Sequence, residues 1–259
     1  MYHSVSYNAK KDFLPFIVRP HEFERQMDYL NEHGYTPITV STYARVIRGE
    51  CDELPERPVV ITFDDGYADF YHHALPVLKR YNFPATIYVV SDCIDKMSEC
   101  MSSSRIYARP LLSWEMLCDL MDAGIEIGAH SHTHPQLDLL SGDDLAVEIA
   151  QPKEILECGL NREVASFAYP HGYHSKKVKQ AVEDAGYLSA CGVKYAMSHL
   201  GDDPYALARL LVPVNTSTAE FRRILRGEGV SLARRGERLR TKLWRWVRRQ
   251  RHSPARRAQ

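Results

Sequence analysis

The sequence predicts an α/β protein with parallel strands whose C-terminal ends share one face. Strand-like runs alternate with helical ones along the chain, and no fixed-period repeat interrupts them. Three apolar runs stop abruptly at polar, metal-competent or tightly turned residues. Val59 to Phe63 ends in Asp64-Asp65-Gly66. Ile125 to Ala129 ends in His130-Ser131-His132-Thr133-His134-Pro135. Val164 to Tyr169 ends in Pro170-His171-Gly172. In parallel β/α architectures such strand ends assemble active sites. A chain of 259 residues suits one α/β domain of this kind.

The elements follow in order. Met1-Tyr2-His3-Ser4-Val5 opens the chain as a first strand. From His21 to Gly34 a helical period sets Phe23, Met27 and Leu30 on one face. Val59 to Phe63 reads as a buried strand. Two acids at its exit are costly to bury unless paired or bound to a cation, and Gly66 permits the tight turn. The competing reading is a plain strand-to-turn junction, with Asp64 or Asp65 capping a helix from about Tyr67. His72 and His73 in that helix are packing or surface residues. Ser91 to Pro110 reads as a long loop beside the site, a substrate-binding insertion. Ser113 to Gly124 is helical, with Trp114, Leu117 and Met121 aligned. Ser113, Ser141, Ser175 and Ser217 are N-caps, Glu220 completing a capping box with Ser217, and Gly34, Gly124 and Gly186 mark helix ends. In the apolar strand Leu207 to Val212 a lone Arg209 calls for an acidic partner, or else reaches solvent at the strand end.

The chemistry follows from residue type. Imidazole and carboxylate bind zinc, and a catalytic site keeps three protein ligands and an open position. Asp65, His130 and His134 supply that set, while alternation along the loop turns His132 elsewhere. A divalent metal polarises a carbonyl and lowers the pKa of a coordinated water from 15.7 toward about 7. A neighbouring carboxylate not committed to the metal then removes the proton. Asp64 and Asp65 can divide those tasks. In the turn Tyr169-Pro170-His171-Gly172, Pro170 lacks an N–H and His171 offers the next one to a developing oxyanion. A plain loop shaped by Pro and Gly is the alternative.

These residues resemble the metal-dependent polysaccharide deacetylases with a NodB-like domain, carbohydrate esterase family 4. Thr62-Phe63-Asp64-Asp65-Gly66 is similar to their first motif, and His130-Ser131-His132-Thr133-His134 matches their second. The resemblance implies a distorted (β/α)7-type barrel as a single domain over residues 1–227, followed by a basic tail, 228–259. It implies removal of N-acetyl (or O-acetyl) groups from a polysaccharide or lipid-linked glycan precursor. The metal expected is zinc, with cobalt, nickel or manganese as alternatives. Asp65, His130 and His134 would hold it, Asp64 would be the base, and Tyr169, Pro170 and Gly172 would line the substrate with His171. Two departures stand out. The arginine that many members carry before the Pro of the third motif is missing from Ser166-Phe167-Ala168-Tyr169, and Arg209 is the candidate to replace it. No Leu-x-His motif supplies a general acid. Tyr2-His3 instead looks like the start of a biofilm-exopolysaccharide deacetylase branch, which makes His3 the proton donor, with His174 and His199 as weaker candidates. The alternatives are a related C–N hydrolase acting on another small amide or formyl group, and a non-catalytic glycan-binding member.

Six cysteines without C-x-x-C spacing suit a reducing compartment, although an even count also allows disulfides. The chain shows no signal-peptide pattern and no apolar run of membrane-spanning length. The expectation is a cytoplasmic protein, or one whose start lies upstream. Net charge is zero but polarised: residues 222–259 hold fourteen Lys and Arg against Glu228 and Glu237. Within them Leu239, Leu243, Trp246 and Val247 form an apolar stripe on an arginine-rich helix, a candidate anchor for anionic membrane. Charge alone also allows nucleic acid, although no specific nucleic-acid site is expected, and a solvated tail is the plain alternative. The oligomeric state is not legible.

Overall fold

The computed structural model describes residues 1–7, 11–51, 53–101, 108–233 and 239–252. Its strands are short and all their pairings parallel. They are β1 (Ser4–Val5), β2 (Ile17–Val18), β3 (Thr36–Ile38), β4 (Pro58–Val60), β5 (Thr62–Phe63), β6 (Thr86–Val89), β7 (Glu126–Ala129), β8 (Ser166–Ala168) and β9 (Ser189–Cys191). β5 to β9 form one curled sheet in sequence order, while β1 pairs with β2 and β3 with β4. The predicted strand Val59 to Phe63 is therefore divided. Its first half pairs with β3 and its second with β6, and Ile61 spans the change by accepting the Thr86 N–H (2.9 Å).

Two further segments bridge the edges of this sheet. Leu207 joins β9 through its N–H to Ala190 O (3.0 Å) and its carbonyl to Gly192 N–H (2.8 Å). Met1 lies against the same segment, its ammonium donating to Leu210 O (2.9 Å) and its carbonyl accepting from Val212 N–H (3.0 Å). Tyr2 then pairs with Phe63 of β5, donating to Thr62 O (2.8 Å) and accepting from Asp64 N–H (3.1 Å). Five strands and two bridging segments thus complete a distorted α/β barrel, with His3 on the rim where β5, β7 and β8 end.

The helices are α1 (Pro20–Glu32), α2 (Val40–Ile47), α3 (Leu75–Tyr81), α4 (Trp114–Asp122), α5 (Gly142–Leu160), α6 (Lys176–Asp184), α7 (Thr218–Leu225) and α8 (Leu239–His252). In α1 the expected face of Phe23, Met27 and Leu30 is buried. In α4 Leu117 is buried together with Leu120, and Trp114 and Met121 pack half-buried against the same core. Ser113, Ser175 and Ser217 cap α4, α6 and α7 through their hydroxyls, and Ser217 with Glu220 makes the capping box. Ser141 precedes α5 without a side-chain cap bond. After the Asp64-Asp65 turn a π-helical turn, Phe70–Ala74, leads into α3, so the helix starts later than Tyr67. Such turns are frequent at functional sites.

One pair of cysteines departs from the pattern expected of a reducing compartment. Cys93 and Cys100 are joined in a disulfide within the loop that follows β6, a bond that persists mainly in oxidising surroundings. Cys51, Cys118, Cys158 and Cys191 are free. Ser102, Ser103 and Ser104 of the expected insertion lie outside the described residues. No described helix is long and apolar enough to cross a membrane.

Candidate metal centre and active site

β5, β7 and β8 place their exit residues on one rim. Asp65 leaves β5 with φ 74° and projects its carboxylate toward the loop after β7. There His130 Nε2 and His134 Nε2 each lie 3.3 Å from Asp65 Oδ1, and one ligand atom from each of the three falls within 4.8 Å of the others. His130 donates Nδ1–H to Ala168 O (2.8 Å), which leaves Nε2 as the ligand atom. Burial pushes the Asp65 carboxyl up, but the two imidazoles outweigh it and hold it well below the usual carboxylate range. Burial likewise opposes charge on His130, and Asp65 and Asp64 overcome it and raise its pKa. Three rim-facing groups of metal-binding type with an open side fit a divalent cation.

The backbone around the cluster is strained. Asp65, Ser131, His134 and His171 account for four of the eight non-glycine residues with positive φ among the described residues. Strain of this kind persists where the surroundings enforce it, commonly at functional sites. The enforcing groups are visible. Ser131 Oγ accepts the His134 N–H (2.9 Å). Glu148, from α5, accepts from His132 N–H (3.0 Å), Thr133 N–H (2.9 Å) and the Thr133 hydroxyl (2.6 Å). His132 itself turns away to Ser91 Oγ (2.8 Å), as alternation predicts.

Asp64 points elsewhere. It is 2 % exposed and meets Arg209 in a two-pronged pair, 2.6 Å and 2.7 Å. Arg209 also donates to Gly192 O (3.2 Å) and lies over the Tyr88 ring. Burial pushes the Asp64 carboxyl up, yet Arg209 and then His130 pull it below its ordinary value. The capping reading of the two acids therefore gives way to a division between them, one toward the imidazoles and one toward the guanidinium.

His3 is half-buried, its ring 4.9 Å from that of Phe16, and its Nδ1 is buried without a hydrogen-bond partner. It lies within the electrostatic reach of Asp65, Asp64, Arg209 and His130. Burial lowers its pKa while the two carboxylates oppose. Its strand is fixed by Asp69, which accepts from Ser4 Oγ (2.6 Å), Val5 N–H (3.1 Å) and Arg109 Nη2 (2.7 Å).

The turn after β8 brings His171 to the cluster, its ring 4.9 Å from that of His134. Burial, then His134 and His130, push its pKa down to about 4. Gly172 spends its N–H on Tyr169 O (2.7 Å), and at φ 71° a Cβ there would lie 2.5 Å from Val193 N. Only glycine fits that approach. Pro170 is buried within the turn. Tyr169 departs from its substrate-lining expectation: its side chain is fully buried, its hydroxyl donating to Tyr205 O (2.9 Å), so it supports the turn from the core. His174 is stacked on Tyr169 and bonded to Gly172 O (3.2 Å), and burial pushes its pKa to about 4. His199 is engaged by Asp202 and Ala233 O, away from the cluster. A cavity of about 310 Å³ lies on another side of β5, lined largely by apolar residues such as Met27, Leu30, Val59 and Phe221, and none of Asp65, His130 or His134 faces it.

Sequence reasoning missed Glu148, Asp69 and Arg109, whose partners are distant in the chain. It also missed Asp138, just after the loop that carries His130 and His134. Asp138 is 1 % exposed and clamps Arg248 of α8.

A family model described as polysaccharide deacetylase matches residues 52–190, more than half of the chain. The chain belongs to the polysaccharide deacetylase family. Among curated relatives, Bacillus subtilis YxkH, whose own assignment as a polysaccharide deacetylase is provisional, is 28% identical over 222 residues, 85% of this chain and 73% of that protein. The poly-β-1,6-N-acetyl-D-glucosamine N-deacetylase of Staphylococcus epidermidis is 24% identical over 215 residues, 79% of this chain and 71% of its own length. In fold, the Streptococcus pyogenes deacetylase PplD in complex with acetate superposes with TM-score 0.76 at 24% identity, over 87% of this chain and 96% of that one. IcaB from Ammonifex degensii gives 0.72 at 23% identity, over 87% and 93%. Membership supports a carbohydrate deacetylase of the hydrolase class.

Proposed function

We propose that this deacetylase-family protein is a metal-dependent N-deacetylase of a glycan containing N-acetylhexosamine, a polymer or a precursor still carried on lipid. The observation that carries the reading is the convergence of Asp65, His130 and His134 beside an Asp64 carboxylate paired with Arg209. When bound, a divalent cation, zinc first among the candidates, polarises the acetyl carbonyl and provides an activated water. Asp65 Oδ1, His130 Nε2 and His134 Nε2 would hold it. Arg209 keeps Asp64 ionised, and although each Asp64 oxygen accepts one guanidinium N–H, each keeps a second lone pair with which the carboxylate takes the proton of the attacking water. The His171 amide, presented by the Pro170–Gly172 turn, is the donor for the oxyanion that develops on the acetyl oxygen. His3 delivers the proton to the leaving amine nitrogen. The name of the Staphylococcus epidermidis relative favours an N-acetylglucosamine polymer as the substrate class.

The test is acetate release from β-1,6-linked N-acetylglucosamine oligomers, set beside an O-acetylated polysaccharide and a small N-formyl compound. Acetate from the first, abolished in Asp64→Asn, is the expected outcome. Turnover of the formyl compound alone would favour the other C–N hydrolase reading. No turnover by a metal-loaded protein that still binds the oligomers would favour a glycan-binding member.

A further inference from the structure

α8 docks with the opposite polarity to an ordinary surface helix. Such a helix turns an apolar stripe inward and charge outward. Here the inward residues are cationic. Arg248 is 5 % exposed and grips both Asp138 oxygens (3.0 Å and 2.6 Å) and Gln136 Oε1 (2.7 Å). Its guanidinium lies 3.7 Å from the centre of the Tyr173 ring. Arg245 reaches Asp138 Oδ2 (3.0 Å) and His174 O (2.8 Å). The outward residues include Leu243, 63 % exposed, and Trp246, 59 % exposed, one helical turn apart and on one face, with exposed Lys242 beside them.

Among the described residues, eleven large hydrophobics are exposed. Three are on α8, and Val193, Tyr195, Leu200 and Leu232 are four of the rest. Val193 packs on Gly172, in the same turn region that α8 grips through Tyr173 and His174. α8 therefore borders the turn that holds His171.

We infer that this face is a docking surface for an anionic lipid bilayer. Leu243 and Trp246 enter the headgroup–acyl boundary, while the basic residues around them meet anionic headgroups. Charge complementarity selects this occupant, because residues 222–259 carry fourteen Lys and Arg against two acids, and twelve lie outside the clamp of Arg245 and Arg248 on Asp138. A second copy would bring two such cationic segments together, which repels. Stacking on a sugar would use Trp246 but leave Leu243 and the cations without a role. The inference stands independently of the deacetylase reading.

The test is flotation of the full chain with phosphatidylcholine vesicles and with vesicles half phosphatidylglycerol, alongside the Leu243→Glu/Trp246→Glu variant. Leu243→Ser/Trp246→Ser serves as a second variant, and thermal melting checks the fold of each. The wild type should float with the anionic vesicles and not with the neutral ones. Salt should weaken that binding, and both variants should bind at least tenfold less. Three outcomes would overturn the inference: equal flotation of wild type and variants, no flotation of the wild type with either vesicle, or a wild-type dimer in light scattering that the variants dissociate. Loss of binding to an acetylated glycan in the variants, with vesicle flotation unchanged, would assign the face to sugar instead.

Discussion

At the scale of single residues, the division of labour between Asp64 and Asp65 is the feature with the most consequences. His130→Ala and His134→Ala each remove a ligand, so both should lose metal, measured as bound ion per chain. Asp64→Asn should keep the metal and lose turnover. Arg209→Leu strands a buried carboxylate and should cost about 3–5 kcal/mol in denaturant unfolding near neutral pH. The sign of its pH dependence follows from Asp64. In the wild type the folded pKa lies below the ordinary value of about 3.9. Its contribution to stability is therefore fully present above that value and is lost as pH falls through the folded pKa. Without Arg209, burial raises the Asp64 pKa above the ordinary value of about 3.9, so the gap between variant and wild type should begin to shrink above that value as pH drops and go on shrinking down to the wild-type folded pKa. A gap that stays constant from pH 7 to 3 would contradict the pairing. For His3, His3→Ala should lower turnover by about 10²–10⁴-fold with metal content intact. An acid must carry its proton, so this activity falls as pH rises through the His3 pKa. Burial lowers that pKa, which moves the falling limb to lower pH than an unperturbed histidine would give. Unaltered kinetics in His3→Ala would assign the proton to another group.

At the scale of elements, strand exits and helix caps were legible because each is written in a few adjacent residues. The Asp-Asp-Gly and His-Ser-His-Thr-His exits, and the Ser217 and Glu220 capping box, need no distant partner to be recognised. Arg209 was legible for a different reason: a lone cation in an apolar strand demands an acid. What stayed hidden were clamps between remote elements. Glu148 holds the metal loop from the middle of α5, and Asp69 ties β1 to Arg109 across the rim. The stripe in the tail was visible, but periodicity defines the faces of a helix and not which one meets the protein. A chain ending near Gly229 retains every proposed catalytic residue, yet it would lose the helix that braces the loops after His134 and His171. Asp138→Asn, which removes the charge and one of the two acceptor oxygens of that brace, should destabilise the protein by about 3–5 kcal/mol and weaken metal retention in a competition assay with a chelator. The loop after β6 gives a separate check. With Cys93 and Cys100 joined, four of the six cysteines should react with a thiol reagent in denaturant without reductant. Six reactive thiols would contradict the bond.

At the scale of the molecule, the barrel turns a scattered sequence into one site. Five strands and two bridging segments bring residues 3, 64, 65, 130, 134, 171 and 209 to a single rim and its floor, from positions up to 206 residues apart. The ring closes through the first two residues and the Leu207–Val212 segment, a circuit that no local pattern announces. α8 borders the turn that holds His171 on that rim. All of this depends on the Asp65, His130 and His134 cluster binding a cation that drives hydrolysis. The most direct test strips the full chain with a chelator, restores it with zinc, cobalt, nickel or manganese in turn, and reads bound metal and released acetate together. The account predicts one ion per chain, no acetate from the stripped protein, and recovery in proportion to occupancy. Full acetate release from metal-free protein, or an occupancy unchanged in the His130→Ala/His134→Ala double variant, would contradict it.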